Sequence, residues 1–178
     1  MSEASPLNAP EPAEGFRLQL AGADTHSDTT VHINTSDLPW LEGEDGTKLQ
    51  VLHVDLNQGL WVLNVRWPPG RRVATHYHTG PVYAVTRAGC WYYEEYPDTK
   101  NTAGSYLYEP AHSVHTLIVP EDNTEETDVW FAIHGANIDI DESGRVLGVV
   151  DARTILTQWR AGCEARGLDG SGTLVTGL

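Results

Sequence analysis

From Val31 onward the chain alternates short apolar stretches with turn chemistry: LQVLHVDL (49–56), GLWVLNVRW (59–67), PVYAVTR (81–87), GCWYYEEY (89–96), GSYLYEP (104–110), SVHTLIV (113–119) and DVWFAIHG (128–135). The breaks fall at Asn57-Gln58-Gly59, Pro68-Pro69-Gly70, Ala88-Gly89, Asp98 to Gly104 and Pro120 to Thr124. Gly, Pro, Asn and Asp at such positions end strands, because they supply left-handed backbone, fix φ or bond their own backbone. Many short strands at this spacing predict an all-β sandwich or barrel. Near the end the period changes to about four. Asp151 can cap a helix carrying Ile155, Trp159 and Cys163 on one face, stopped by Gly167, and this helix is expected on the outside of the barrel. Residues 1–15 hold three Pro and three Glu with no apolar period, and read as a tail. A single domain is expected over 16–170, with a loose end over 171–178.

Composition narrows the function classes. With 178 residues, 40% of them hydrophobic, and six Trp, the chain can form one domain with a real core. A net charge of −14 repels phosphate backbones and anionic headgroups, so neither nucleic acid nor membrane is expected as a partner. The two cysteines, Cys90 and Cys163, fall on a strand and on the helix, no apolar run has the length of a signal sequence or a span, and the expected compartment is a reducing cytoplasm. The Asn34-Thr35-Ser36 sequon is read as chance in that compartment.

Candidate chemistry concentrates in histidines. His76 and His78 are two apart on an expected strand, so both imidazoles share one face. His115 comes 37 residues after His78 and meets the pair only if the sheet folds back on itself, as a barrel does. The frame around them is regular: Gly70, five residues, His76-Tyr77-His78 and a later Gly89, then Gly104, five residues, Pro110, His112 and His115. His26, His32, His53 and His134 have no partner at ligand spacing and read as structural.

These two segments resemble the paired motifs of the cupin family, G(x)5HxH and G(x)5PxG(x)2H, with His112 standing where the second motif has glycine. That resemblance implies a double-stranded β-helix, or jelly-roll barrel, binding one divalent metal through His76, His78 and His115. The first motif's usual Glu, separated from the second His by three or four intervening residues, is replaced by Val82 and Tyr83. Three neutral imidazoles then leave the ion its full charge and open positions for water, an anionic ligand or dioxygen. Zinc, copper and nickel suit such a set as well as iron. His112 reads as a solvent-facing loop residue. In GCWYYEEY, Trp91, Tyr93 and Glu95 share one face and Cys90, Tyr92, Glu94 and Tyr96 the other. If the first set points inward, it gives an aromatic wall, a phenol donor and a carboxylate near the metal. Glu109, just before Pro110, is a further acid beside the site.

The longer runs GTKLQVLHVDLNQGLWVLNVRWPPG, HYHTGPVYAVTRAGCWYYEEYP and AGSYLYEPAHSVHTL resemble the 2,4′-dihydroxyacetophenone dioxygenase family over roughly residues 31–165. That resemblance implies an iron(II) enzyme splitting an aryl 2-hydroxyketone with dioxygen into an aryl carboxylate and formate. Its candidate pocket residues here are Tyr93, Glu95 and Glu109, and by analogy it implies a homodimer or homotetramer. The rival reading is a zinc-holding binding module on the same three histidines, against which stand the missing DNA-binding segment and the negative charge. A sugar or keto-acid isomerase on this barrel is disfavoured by the aromatic residues around the motifs.

Overall fold

In the computed structural model, residues 30–177 are described, so the segment read as an N-terminal tail lies outside them. The strands are β1 (Leu41–Glu42), β2 (Lys48–Asp55), β3 (Leu60–Trp67), β4 (His76–His78), β5 (Val82–Ala88), β6 (Cys90–Tyr93) and β7 (Asn101–Thr102). They continue with β8 (Tyr106–Glu109), β9 (Leu117–Ile118), β10 (Thr127–His134), β11 (Asn137–Ile140), β12 (Val146–Val150) and, after helix α1 (Ala152–Ala165), β13 (Leu174–Thr176).

The larger sheet runs β1-β2-β3-β10-β5-β8. Its centre is β10, which pairs antiparallel with β3 (Phe131 opposite Leu63) and with β5 (Phe131 opposite Ala84). Period-two alternation turns Trp61, Leu63, Val65 and Trp67 of β3 to the interior, where each is buried. The other face of β2 and β3 carries Gln50 and Asn64, both buried and joined by a 2.8 Å hydrogen bond. Gln50 Nε2 also donates to the carbonyls of Thr35 and Leu38, which satisfies a buried amide and ties down the chain ahead of β1.

The opposite wall is assembled from β12-β11-β4 and β7-β6-β9. The two halves are joined along 70–78 and 112–120. Val73 N donates to Leu117 O, Val119 N to Arg71 O, and His76 and His115 exchange both backbone hydrogen bonds, at 3.0 and 2.9 Å. This seam closes the jelly-roll barrel and gives the cupin fold the motifs imply.

α1 begins at Asp151, whose carboxylate accepts from Thr154 N while Thr154 Oγ1 accepts from Asp151 N, a reciprocal cap. Its buried residues Ala152, Ile155, Leu156, Trp159 and Cys163 pack toward β1, β2, β3 and β12. Beyond it the chain departs from expectation. Instead of a loose end, Leu174–Thr176 adds a parallel strand to β2, with Leu174 opposite His53 and Thr176 opposite Asp55. Thr173 Oγ1 donates to Val51 O, and His53 Nε2 lies 3.0 Å from Thr176 Oγ1. A three-residue strand is too short to show a period, and its partner lies about 120 positions earlier.

Candidate metal centre

The backbone seam sets the site. His76 and His115 are directly opposite one another on antiparallel chains, and His78 lies two residues farther along on the same face as His76. All three side chains are buried, with ring centroids 4.7 Å (76–115), 5.1 Å (76–78) and 5.9 Å (78–115) apart. His76 Nδ1 is 2.6 Å from the Ala74 carbonyl, which can only accept, so the proton is on Nδ1 and Nε2 is free to ligate.

Burial is the first cause of depressed basicity at all three. It lowers His76, against a partial rise from the Ala74 contact, and drives His78 and His115 down to about 3, with the neighbouring imidazoles adding to the effect. The rings are therefore neutral at physiological pH, the form that binds metal.

One donor atom from each histidine lies within 4.8 Å of the others. Donors bound to one ion at about 2.1 Å stand roughly 3–4 Å apart, so the triad needs little adjustment to close on a divalent transition ion. His115 Nε2 and His78 Nδ1 are buried without hydrogen-bond partners, a costly state that an ion at the centre relieves directly for His115.

Glu109 completes the surroundings. Its register partner on β5 is Val82, the position where the first motif's carboxylate is missing. Its Oε1 accepts a short hydrogen bond from Tyr93 OH, and its partnerless Oε2 is 3.4 Å from both His78 Nε2 and His115 Nε2. Burial pushes this carboxyl up to about 7, partly opposed by the Tyr93 hydroxyl. Burial, then the neighbouring Glu109, holds the Tyr93 phenol well above its ordinary range. The Tyr93 ring also stacks on His115, centroids 4.1 Å apart and planes inclined by 25°.

The site opens into a chamber of about 370 Å³, a size suited to a small molecule. Its walls are largely Trp61, Leu63, Val65, Trp67, Phe131 and Ile133, with His76, His78, Tyr93 and Glu109 at one end. A second cavity, of about 260 Å³, reaches Tyr93, Glu109 and His115 from the side of Tyr96, Asn101 and Ser113.

The structure thus brings Tyr93 and Glu109 to the three histidines, but not Glu95. The extended strand ends at Tyr93, a turn follows (Tyr96 N to Tyr93 O), and Glu95 is exposed with its carboxylate accepting from Thr116 N at 3.0 Å. Trp91 points inward yet belongs to the core, donating to Thr86 Oγ1, and does not line the chamber. The aromatic wall comes instead from Trp61, Trp67 and Phe131, whose alternate positions on β3 and β10 carry that signal. His112 is exposed beside Tyr77, and it alone among the described non-glycine residues has positive φ, at 67°, where the motif has glycine. Among the described residues no helix is long and apolar enough to cross a membrane.

Residues 28–137 match the family described as the ChrR Cupin-like domain. A protein of unknown function with a cupin-like fold from Ralstonia eutropha JMP134 is similar at 35% identity and TM-score 0.78, over 87% of this chain and 97% of that one. An RmlC-like cupin protein from the same organism shares 24% identity at TM-score 0.75, over 82% and 94% of the two chains. An acetylacetone dioxygenase from Acinetobacter johnsonii shares 20% identity at TM-score 0.66, over 76% and 93%. The last two likenesses are of fold. No curated protein matches the chain.

Proposed function

The chain belongs to the ChrR Cupin-like domain family, and from that premise we propose that it is an iron(II)-dependent dioxygenase that cleaves a small aryl 2-hydroxyketone to an aryl carboxylate and formate. The observation that carries the reading is the joining of three neutral imidazoles to a Tyr93–Glu109 pair at one end of a mostly apolar chamber. The acetylacetone dioxygenase adds only that this fold hosts dioxygenase chemistry elsewhere.

His76, His78 and His115 would hold the metal, and their neutrality leaves its charge to be balanced by an ionised ligand. Iron(II), when bound, supplies chelation of the ketone and hydroxyl oxygens and electron density for dioxygen. The protein's own groups bind, orient and move a proton. Glu109 Oε2, facing the His78 and His115 side without a partner, accepts the proton of the substrate hydroxyl. With a carboxyl near 7, it is matched to proton exchange at neutral pH. Tyr93 OH holds Glu109 Oε1 and so fixes which oxygen faces inward. The Trp61, Trp67 and Phe131 wall accommodates a flat ring and excludes water. The overall change balances as ArCOCH₂OH + O₂ → ArCOOH + HCOOH.

Iron-loaded protein is expected to consume one dioxygen per hydroxyacetophenone cleaved and to release formate. Methylating the substrate hydroxyl, which prevents the anionic chelate, is expected to slow the reaction strongly. No oxygen uptake across hydroxyacetophenones and 1,3-diketones, together with tight ligand binding by zinc-loaded protein, would replace this reading with the binding module.

A further inference from the structure

Two cavities meet at the histidine triad. His76 and His78 border the larger chamber, His115 borders the smaller cavity of about 260 Å³, and Tyr93 and Glu109 border both. The smaller cavity is also lined by Tyr96, Tyr108 and Val114, which are exposed, so it communicates with solvent on its own side. With each water of the liquid occupying about 30 Å³, a space of this size admits a molecule of a few heavy atoms together with solvent.

Asn101 lines the smaller cavity from β7, where it stands opposite Trp91 of β6. It is only 6% exposed, yet among the described residues its side-chain amide has no hydrogen-bond partner. A buried amide left unpaired is costly, and where it lines a cavity it marks what an occupant should offer. Its Nδ2 can donate twice and its Oδ1 can accept. Thr99 and Ser113 add hydroxyls to the same lining, the second of them donating to Pro110 O. The larger chamber is mostly apolar, whereas this cavity presents an amide and two hydroxyls beside the metal-facing groups.

We propose that this cavity is a second mouth of the metal centre, which takes carboxylates of the size of formate past Tyr93 and Glu109 and holds them at the Asn101 amide. The use assigned to it rests on the cleavage reading above. With the substrate ring against Trp61, Trp67 and Phe131, cleavage leaves the one-carbon acid at the histidine end, behind an aryl carboxylate that still fills the chamber. A single mouth would make formate wait for the larger product, whereas a rear outlet lets the two acids leave in either order. The three neutral ligands favour an anion on this path, since they cancel none of the ion's charge.

The test follows carbon-13 formate in the full protein loaded with cobalt(II), whose unpaired electrons speed the relaxation of nearby nuclei. The parent protein is expected to enhance formate relaxation. Val114→Trp places an indole at an exposed rim position, where it covers the opening without entering the core, and should remove most of the enhancement. Asn101→Ala should weaken formate binding about fivefold. Thr47→Trp narrows the larger chamber instead and should leave the enhancement within about twofold of the parent. Metal content and circular dichroism are matched across the four proteins. Enhancement lost in Thr47→Trp but kept in Val114→Trp would overturn the second mouth, as would enhancement that Val114→Trp and Asn101→Ala both leave unchanged. Oxygen uptake by iron-loaded protein is scored apart. Formate admitted with no ketone cleaved would leave the cavity standing and remove the dioxygenase reading, and ketone cleaved with formate confined to the larger chamber would do the reverse.

Discussion

Glu109 stands directly across the β5–β8 ladder from Val82, so a carboxylate missing from its customary strand is supplied from the neighbouring one. Cross-strand partners project to the same face, and the substitution keeps an acid beside the histidines while altering its reach. Here the acid contacts His78 and His115 at 3.4 Å and is held from behind by Tyr93. If its task is proton transfer, Glu109→Gln should retain bound metal and lose about 10²–10⁴ in the rate of oxygen consumption. Loss of metal in that variant, measured by elemental analysis, would make Glu109 a ligand instead.

Tyr93→Phe separates the hydroxyl from the ring. The stack on His115 is preserved, the hydrogen bond to Glu109 Oε1 is not, and the carboxyl loses the one contact that lowers its pKa. The expected outcome is a pH–rate profile displaced upward on its acidic limb, with metal content unchanged; a profile that stays in place would remove Tyr93 from the proton path.

Each of His76→Ala, His78→Ala and His115→Ala should remove most bound metal while circular dichroism and thermal unfolding still report a folded barrel, since the seam is built from backbone bonds. His112→Ala should keep its metal, because this side chain is exposed at the loop. Metal retained at full stoichiometry in any of the first three would exclude that residue.

Metal-free protein in chelator should gain stability from pH 4 up to about 7 and level off above it. His78 and His115 stay neutral in the fold down to about 3 but take protons near 6.5 when unfolded, so acidification below 6.5 favours the unfolded chain. Glu109 acts oppositely: its folded value near 7 exceeds the unfolded 4.5, so its contribution is complete below 4.5 and lost as pH rises through 7. Two imidazoles outweigh one carboxyl below 6.5, and above about 7 all three groups are deprotonated in both states, so the curve levels off. Melting temperatures across pH 4–8 check this, and Glu109→Gln should steepen the rise between pH 4.5 and 7.

Trp159, fully buried on α1, should cost about 3–5 kcal/mol when cut to Ala, without disturbing metal stoichiometry. Denaturant unfolding measures it; a loss below about 1 kcal/mol would mean the helix face is not docked.

The long strands, the capped helix and the clustering of the three histidines were legible because each rests on a local signal: period-two burial, Asp151 before a four-residue repeat, and His-x-His framed by Gly and Pro. Glu95 was misplaced because alternation was carried through GCWYYEEY, whereas the chain turns after Tyr93. β11 and β12 lay beyond the clear alternation, and β13 depends on a distant partner. The Asp45–Arg71 ion pair joins the β1–β2 turn to the β3–β4 connection 26 positions away, which no local pattern reveals.

The paired amides and carbonyls of His76 and His115 have a biological corollary. A socket set by main-chain register exists before its ion arrives, and emptying it does not dismantle the wall around it. Such a socket can take one divalent transition ion in place of another without refolding the wall around it, so the ion it holds follows from which one is supplied.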